Sequence, residues 1–352
     1  MRVAIVGAGA MGLGLASVLE SLGHKAILHS PSGASLAFLK EGRPLNSVGA
    51  VSGTWRPEWA DMKGAVTGAD LVIFALPTNG MRRMIDRAAP HIESGQAVVI
   101  SSHASFAALV LARRLAARGV EAPIAAWSTT LATGRRLAPD RVQVDDLRSR
   151  IDVAVLADPS GHVRELQRIL FGDRFHPVED LLALSFSNLN PPIHLANALG
   201  NLTRIEKGEA WDNYDGITPA VARLILGLDA ERLALARSYG YGVKTVEEHY
   251  VHTFPIAAAP LAEMAATVHR MKEGPRGPTS LDTRYIAEDV PFGIWPLILT
   301  ARAKSVPLPL HEGGLALMSA FTGRDFEAEN DLLPEIGDLL DDTEALVAAC
   351  KG

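Results

Sequence analysis

The opening residues, M-R-V-A-I-V-G-A-G-A-M-G-L-G-L-A-S-V-L-E-S-L, leave the start of this chain few ways to fold. Residues 2–6 are an apolar run of the kind that fills a strand buried on both faces, and glycines follow at 7, 9 and 12. Beyond them, apolar residues recur at helical spacing as far as Gly23. Strand, glycine turn and helix in that order give the spacing its meaning. Gly7 makes the tight turn, Gly9 lets backbone approach a pyrophosphate, and Gly12 allows helix to pack on strand. The helix start at Ala10 and Met11 offers unpaired N–H groups and the positive end of a dipole to phosphates. Gly7, Gly9, Ala10, Met11 and Gly12 are therefore read as dinucleotide-binding. The same stretch looks superficially like a signal peptide, but glycines at functional spacing argue against that.

The second strand, residues 25–30, should end beside the adenosine ribose, where an NAD site normally carries Asp or Glu to accept from the 2′-hydroxyl. This chain has His29, Ser30, Pro31 and Ser32 there, and the next acid is Glu41. No carboxylate would repel a 2′-phosphate, and the hydroxyls of Ser30 and Ser32 could donate to one. NADP is the preferred cofactor on this reading, with NAD as the alternative; a cation would have to come from Lys40 or Arg43 folding back. Residues 70–77 and 97–101 are further buried strands. Ligands in open α/β sheets lie at the carboxyl ends of strands, so Leu76, Pro77, Thr78 and Ser102 are expected at the cofactor.

Strand and helix alternate to about Val178. Past Glu179 the spacing is helical throughout, with helices expected over 194–207, 218–239, 245–250, 260–272 and 293–304 and one surface-packed terminal helix over 324–346. The segment 273–278 carries too many breakers and reads as a loop. The fold class is α/β: a Rossmann-type doubly wound parallel sheet in residues 1–179, then an all-α substrate domain in 180–352. Two domains suit 352 residues at roughly 150 each, and imply a cleft. A formal charge of −6 with scattered Lys and Arg speaks against nucleic acid, and no run reaches the ~20 apolar residues of a membrane helix. Cys350 is the only cysteine, which excludes a disulfide framework and fits a cytoplasmic protein. No metal is expected: His249 and His252 share a helix face but lack a third ligand.

Chemistry is expected at S-F-S-N-L-N-P-P-I-H-L-A-N-A-L-G-N, residues 185–201. Pro191 and Pro192 can occupy a first helical turn, which puts His194 near a helix start. Ninety residues on, S-L-D-T-R-Y-I-A-E-D-V-P (280–291) combines an arginine with two adjacent acids in an apolar setting. Arg284 could grip a carboxylate with its planar fork. Asp289 could accept from one His194 nitrogen and fix the tautomer, so that the other nitrogen trades a proton with substrate.

The passages S-N-L-N-P-P-I-H (187–194), D-G-I-T-P-A-V (215–221), L-D-A-E-R-L-A-L-A (228–236) and G-P-T-S-L-D-T-R-Y-I-A-E-D-V-P (277–291) closely resemble the opine dehydrogenase family of octopine, nopaline and related N-carboxyalkyl amino acid dehydrogenases. The resemblance runs over nearly the whole chain. It implies that His194 and Asp289 are the catalytic pair, that Arg284 binds a substrate carboxylate, and that Thr218 and Asn190 lie near substrate. It implies reductive condensation of an amino acid with a 2-oxo acid such as pyruvate, through an imine to a secondary amine, with NADH or NADPH, and a homodimer by analogy. Leu195 stands where some relatives carry proline. Asp282, Tyr250, Trp211 and Tyr214 are candidates for the amine pocket by location. Two other readings stay open: reduction of a 2-oxo acid to a 2-hydroxy acid, and a non-catalytic NADP-binding redox sensor.

Overall fold

β1 (Arg2–Val6) is buried from Val3 onward, and its neighbours explain why no polar residue interrupts it. A computed structural model, describing residues 1–271 and 274–352, places it inside an eight-stranded sheet. Lys272, at the end of the helix expected over 260–272, and Glu273, at the start of the loop expected over 273–278, lie outside the described residues. The chain divides into two compact units, Met1–Ser185 with Val347–Gly352, and Phe186–Leu346.

In the first unit β2 (Lys25–His29), β3 (Leu45–Gly49), β4 (Gly53–Trp55), β5 (Glu58–Trp59), β6 (Leu71–Phe74), β7 (Ala97–Ile100), β8 (Ile124–Trp127), β9 (Ala132–Ala138), β10 (Arg141–Leu147), β11 (Ile151–Leu156) and β12 (Phe175–Pro177) follow β1. The large sheet has the order β12-β11-β8-β7-β6-β1-β2-β5. The chain leaves β1 for β2 on one side and resumes at β6 on the other, so the switch point falls beside β1, where open α/β sheets bind ligands. Pairing from β5 across to β8 is parallel, but β11 runs antiparallel to β8, a reversal that the alternating pattern does not announce.

A second sheet, β4-β3-β10-β9, is new relative to the sequence reading. It packs on α1 (Ala10–Ser21), where Gly14 brings Val144 and Ala132 to within ordinary contact of the helix. Val142, Val144 and Leu45 from this sheet are buried in the same core as Leu13, Leu15 and Val18.

The second unit is helical, apart from an isolated bridge between Asp212 and Arg276. Its longer helices are α2 (Asn190–Gly200), α3 (Pro219–Ser238), α4 (Val246–Thr253), α5 (Leu261–Met271), α6 (Trp295–Ala303) and α7 (Pro309–Thr322). α2 starts four residues before the expected His194, because Pro191 and Pro192 need no partners in a first turn and the Asn188 side chain accepts from the Asn190 N–H. It stops at Asn201, whose side chain turns back to donate to the Asn197 carbonyl and side-chain oxygens, and Leu202–Glu206 resumes as a separate turn. The stretch 324–346, expected as one terminal helix, is broken into Phe326–Glu329, Leu333–Ile336, Gly337–Leu340 and the start of Thr343–Lys351. Asn330 causes the break by accepting from the N–H groups of Leu332 and Leu333, and Phe326, Leu332, Leu333 and Ile336 are buried.

The passage at 228–236 is a structural clamp. Arg232, fully buried, donates to Asp229 from Nε at 2.9 Å and Nη2 at 2.6 Å, and to the carbonyls of Phe186 and Lys244. The second Asp229 oxygen accepts from the Val246 N–H, so α3 fastens both the entry to the unit and the start of α4.

Candidate active site

The glycine loop of the first unit has the form a dinucleotide needs. Gly7 has a φ of +125°, and a Cβ there would lie 2.2 Å from the Ala75 carbonyl oxygen; a Cβ on Gly12 would lie 2.0 Å from the Gly7 oxygen. Both positions are closed to any side chain by backbone. At Gly9 the same construction meets nothing within 4 Å. The first turn of α1 has no side-chain cap and no acid, which leaves its N–H groups to an anion. Ala10 and Met11 are half-buried in that turn. These residues fit a pyrophosphate.

Ser30 is half-buried at the end of β2, and Ser32 is exposed, its Oγ accepting from the Ala34 N–H. Leu76, Pro77 and Thr78 follow β6, and Ser102 follows β7, its neighbour in the sheet. Ser102, Ser105 and Phe106 all hold positive φ, between +48° and +62°, a conformation that costs a non-glycine residue about 1–3 kcal/mol and gathers at functional loops. His103 is buried among them, and neither ring nitrogen has a hydrogen-bond partner among the described residues. Burial pushes its pKa down to about 4, so it is a neutral imidazole at pH 7.

In the second unit His194 and Asp289, 95 residues apart, are in direct contact: Nδ1–H of the imidazole donates to Oδ2 at 2.8 Å. Their side chains are 13% and 9% exposed, so the pair is shielded from bulk water without being sealed. With Nδ1 committed to the carboxylate, Nε2 is the nitrogen left to exchange a proton. Tyr285 lies flat against the imidazole, ring centroids 3.8 Å apart and planes 7° from parallel. Burial, followed by the Asp289 charge, pushes its phenol up to about 12, which keeps it neutral. Stacking fixes the plane of the imidazole while the carboxylate fixes its rotation.

The approach of the two segments is set by backbone. Asp289 immediately precedes a π-helical turn, Val290–Ile294, of the wide kind frequent at functional sites. Gly293 in that turn meets Pro191 in the first turn of α2: a Cβ on Gly293 would sit 2.3 Å from Pro191 Cγ and 2.7 Å from its Cβ. The carbonyl of Pro291 is held by Asn330 Nδ2 at 2.7 Å.

Arg284 reaches Glu288 at 3.7 Å with 57% of its side chain exposed, a loose pairing that leaves most of its donors to solvent. Thr218 caps α3, its hydroxyl accepting from the Val221 N–H, and Asn190 is exposed at the first position of α2. The aromatic candidates separate. Tyr214 and Tyr250 meet Phe254 edge-on at 5.7 Å each, whereas Trp211 is a loop anchor, lodged against Gly216 and Gly277 and donating from Nε1 to the Pro278 carbonyl. Asp282 is exposed. Tyr285 and the contact of Gly293 with Pro191 escaped the sequence reading. Tyr285 and Pro191 fall within the two passages that the family resemblance singles out, whereas Gly293 lies two residues beyond the second and carries no signal of its own. Among the described residues no group of three or more His, Cys, Asp or Glu is disposed to hold a metal, and no helix is long and apolar enough to cross a membrane.

Comparison with known proteins agrees with both units. Residues 177–322 match the model of the NAD/NADP octopine/nopaline dehydrogenase alpha-helical domain, and residues 2–104 match that of the NAD-dependent glycerol-3-phosphate dehydrogenase N-terminus. An opine dehydrogenase of Arthrobacter sp. (strain 1C) is 31% identical over 293 residues, 82% of this chain and 81% of that one. The fold is shared with octopine dehydrogenase solved with NADH and L-arginine, at a TM-score of 0.79 and 18% identity over 99% of this chain and 98% of that one. It is also shared with yersinopine dehydrogenase bearing NADP+, at a TM-score of 0.70 and 17% identity over 100% and 98%. The chain belongs to the opine dehydrogenase family and is an NAD(P)-dependent oxidoreductase acting on CH–NH bonds.

Proposed function

We propose that this enzyme joins the amine of an amino acid to a 2-oxo acid such as pyruvate and reduces the resulting imine to a secondary-amine dicarboxylate, with His194 as the catalytic acid–base. The observation that carries the residue assignment is the 2.8 Å contact of His194 with Asp289 under the stacked Tyr285 ring. In this reading Nε2 of His194 delivers a proton to the oxygen that departs as water when amine and oxo acid condense. Asp289 balances the positive charge that the imidazole carries before delivery and keeps Nδ1 protonated throughout. Assistance of this kind accelerates a step by roughly 10²–10⁴-fold. Bound NADPH or NADH supplies the hydride to the imine carbon. Arg284, with most of its fork unpaired, receives a substrate carboxylate, and Thr218 and Asn190 contribute polar contacts from the starts of α3 and α2.

NADPH is the preferred reductant in this reading, supported by the absence of any carboxylate between His29 and Lys40. A cytoplasmic home is supported by the one cysteine, Cys350, which is buried and free. A homodimer is supported by Leu310, Leu317 and Phe321, which share a face of α7 and are each at least 40% exposed.

The test is a panel of amino acids offered with pyruvate, glyoxylate or 2-oxoglutarate while NADPH absorbance is followed. Amine-dependent oxidation that vanishes in His194→Ala supports the proposal. Oxidation with oxo acid alone would replace it with hydroxy-acid chemistry, and no turnover with intact NADPH binding would leave a sensor.

A further inference from the structure

No arginine immediately follows β2, so the sequence offers the NADP site a cation only if Lys40 or Arg43 folds back. The fold supplies one from elsewhere in the same unit. Arg136, near the end of β9 in the second sheet, extends its guanidinium between the glycine loop and the segment after β2. Nη2 donates to the Ser35 carbonyl at 2.8 Å and to that of Pro139, Nε donates to Ala138 at 3.3 Å, and Nη1 reaches the Ala8 carbonyl at 3.5 Å.

All these acceptors are neutral backbone oxygens, so the charge of Arg136 is not cancelled by an ion pair. The carboxylate whose charge it feels, Asp140, is paired with Arg43 at 2.7 Å, and Arg43 also holds Glu41. Lys40 folds back over the same segment. A Cβ on Gly33 would lie 2.7 Å from its Nζ, and the ammonium rests 5.0 Å from the centre of the Trp59 ring. Three cations, Lys40, Arg43 and Arg136, thus face two carboxylates across residues 33–43, with the uncompensated charge on the side bounded by Ala8 and Ser35. That is the stretch between pyrophosphate loop and β2 terminus, where a dinucleotide fold places the adenosine ribose. Nη1 has a donor to spare, since among the described residues its one hydrogen bond is the long one to Ala8.

We propose that Arg136, with Lys40, is the anion site for the 2′-phosphate of NADP, a specificity determinant delivered by the β9–β10 hairpin rather than by the end of β2. The inference rests on the NADPH preference proposed above and assigns that preference to residues. A guanidinium bridging two backbone segments is already rigid, so little ordering accompanies binding, and its planar fork suits a phosphate better than an ammonium does.

The experiment measures equilibrium affinity of the full chain for NADPH, NADH and 2′,5′-ADP by calorimetry or nicotinamide fluorescence, with no substrate present. Wild type should bind NADPH at least about tenfold tighter than NADH and should bind 2′,5′-ADP. Arg136→Gln should weaken NADPH and 2′,5′-ADP by roughly 30-fold or more while NADH moves less than about threefold, and Arg136→Lys should recover part of the loss. Lys40→Gln, which bridges no backbone, should show a smaller loss of the same selectivity; it carries the test if Arg136→Gln fails to fold. Equal weakening of both coenzymes in Arg136→Gln would make the residue a strut and overturn the proposal. So would wild type that binds NADH as tightly as NADPH. Because binding is read without turnover, an amine panel that gives no reaction would refute the proposed function and leave this result standing.

Discussion

Replacing Gly293 by alanine should separate His194 from Asp289 without touching either. The added Cβ would lie 2.3 Å from Pro191 Cγ, about 1.1 Å short of the 3.4 Å at which ordinary contact begins. The obstacle is a proline ring in a first helical turn, which cannot rotate away, so the π turn or α2 must retreat. If the pair absorbs the whole retreat, the 2.8 Å contact of His194 with Asp289 opens to about 3.9 Å, outside hydrogen-bond range. A misplacement on the order of 1 Å costs about 10²-fold in rate, and overpacking of this kind costs about 1–3 kcal/mol of stability. Steady-state kinetics should therefore show kcat down about 100-fold with NADPH affinity unchanged, and a thermal melt should show a folded protein with a lowered midpoint. The double variant Pro191→Ala/Gly293→Ala removes the nearer colliding atom, Cγ at 2.3 Å, leaves Cβ at 2.7 Å, and should recover about a third of the lost log rate, a coupling that independent sites would not show. A folded Gly293→Ala enzyme with kcat within threefold of wild type would refute the argument that backbone approach sets the pair.

Other outcomes follow from the same geometry. Asp289→Asn keeps the shape but removes the charge, and should lower kcat by roughly 10²-fold or more with little change in the affinity for NADPH, read by comparing turnover with coenzyme titration. Gly9→Val projects into open space and should leave the melting midpoint near wild type while weakening dinucleotide binding at least tenfold, whereas Gly7→Ala, at φ +125° against a carbonyl, should destabilise the fold itself. Arg232→Ala strands the buried Asp229 carboxylate and should cost about 3–5 kcal/mol in urea unfolding, more than Arg232→Met/Asp229→Leu, which removes both charges. His103 has a folded-state pKa of about 4, below its ordinary 6.5, so the unfolded chain takes the proton first as pH falls. Its contribution is constant above pH 6.5, is lost between 6.5 and 4, and totals about 3 kcal/mol at roughly 1.4 kcal/mol per pH unit. His103→Asn should flatten that part of the stability curve, and a wild-type-like pH dependence in the variant would contradict the burial argument.

What could be read from the chain, and what could not, divides by the range of the interaction. The glycines at 7, 9 and 12 act within one turn, so their spacing states their purpose. Thr218 and Pro219 likewise announce the start of α3 by local chemistry alone. The pairing of His194 with Asp289 spans 95 residues, and it was legible through resemblance rather than through any periodicity. The second sheet was lost because β3 and β4 are short and lie among Gly, Ser and Asn, and because β9 has arginines where a strand would show alternation. Arg136 was lost with it: its bonds go to carbonyls up to 128 residues away, and a carbonyl carries no signature in sequence. Tyr285 lies within the 277–291 passage, but its stack on His194 is a property of two planes that neither segment specifies alone.

The return of Val347–Gly352 to the first unit has a practical side. Cys350 is completely buried there, and Gly352 rests against Leu156 and Ala157. Chimeras that exchange the helical unit between relatives therefore need two crossovers, at 185/186 and at 346/347. A single splice near the middle would graft a foreign plug onto a native socket, and any loss of selectivity or yield in such a hybrid would report that mismatch rather than the transplanted pocket.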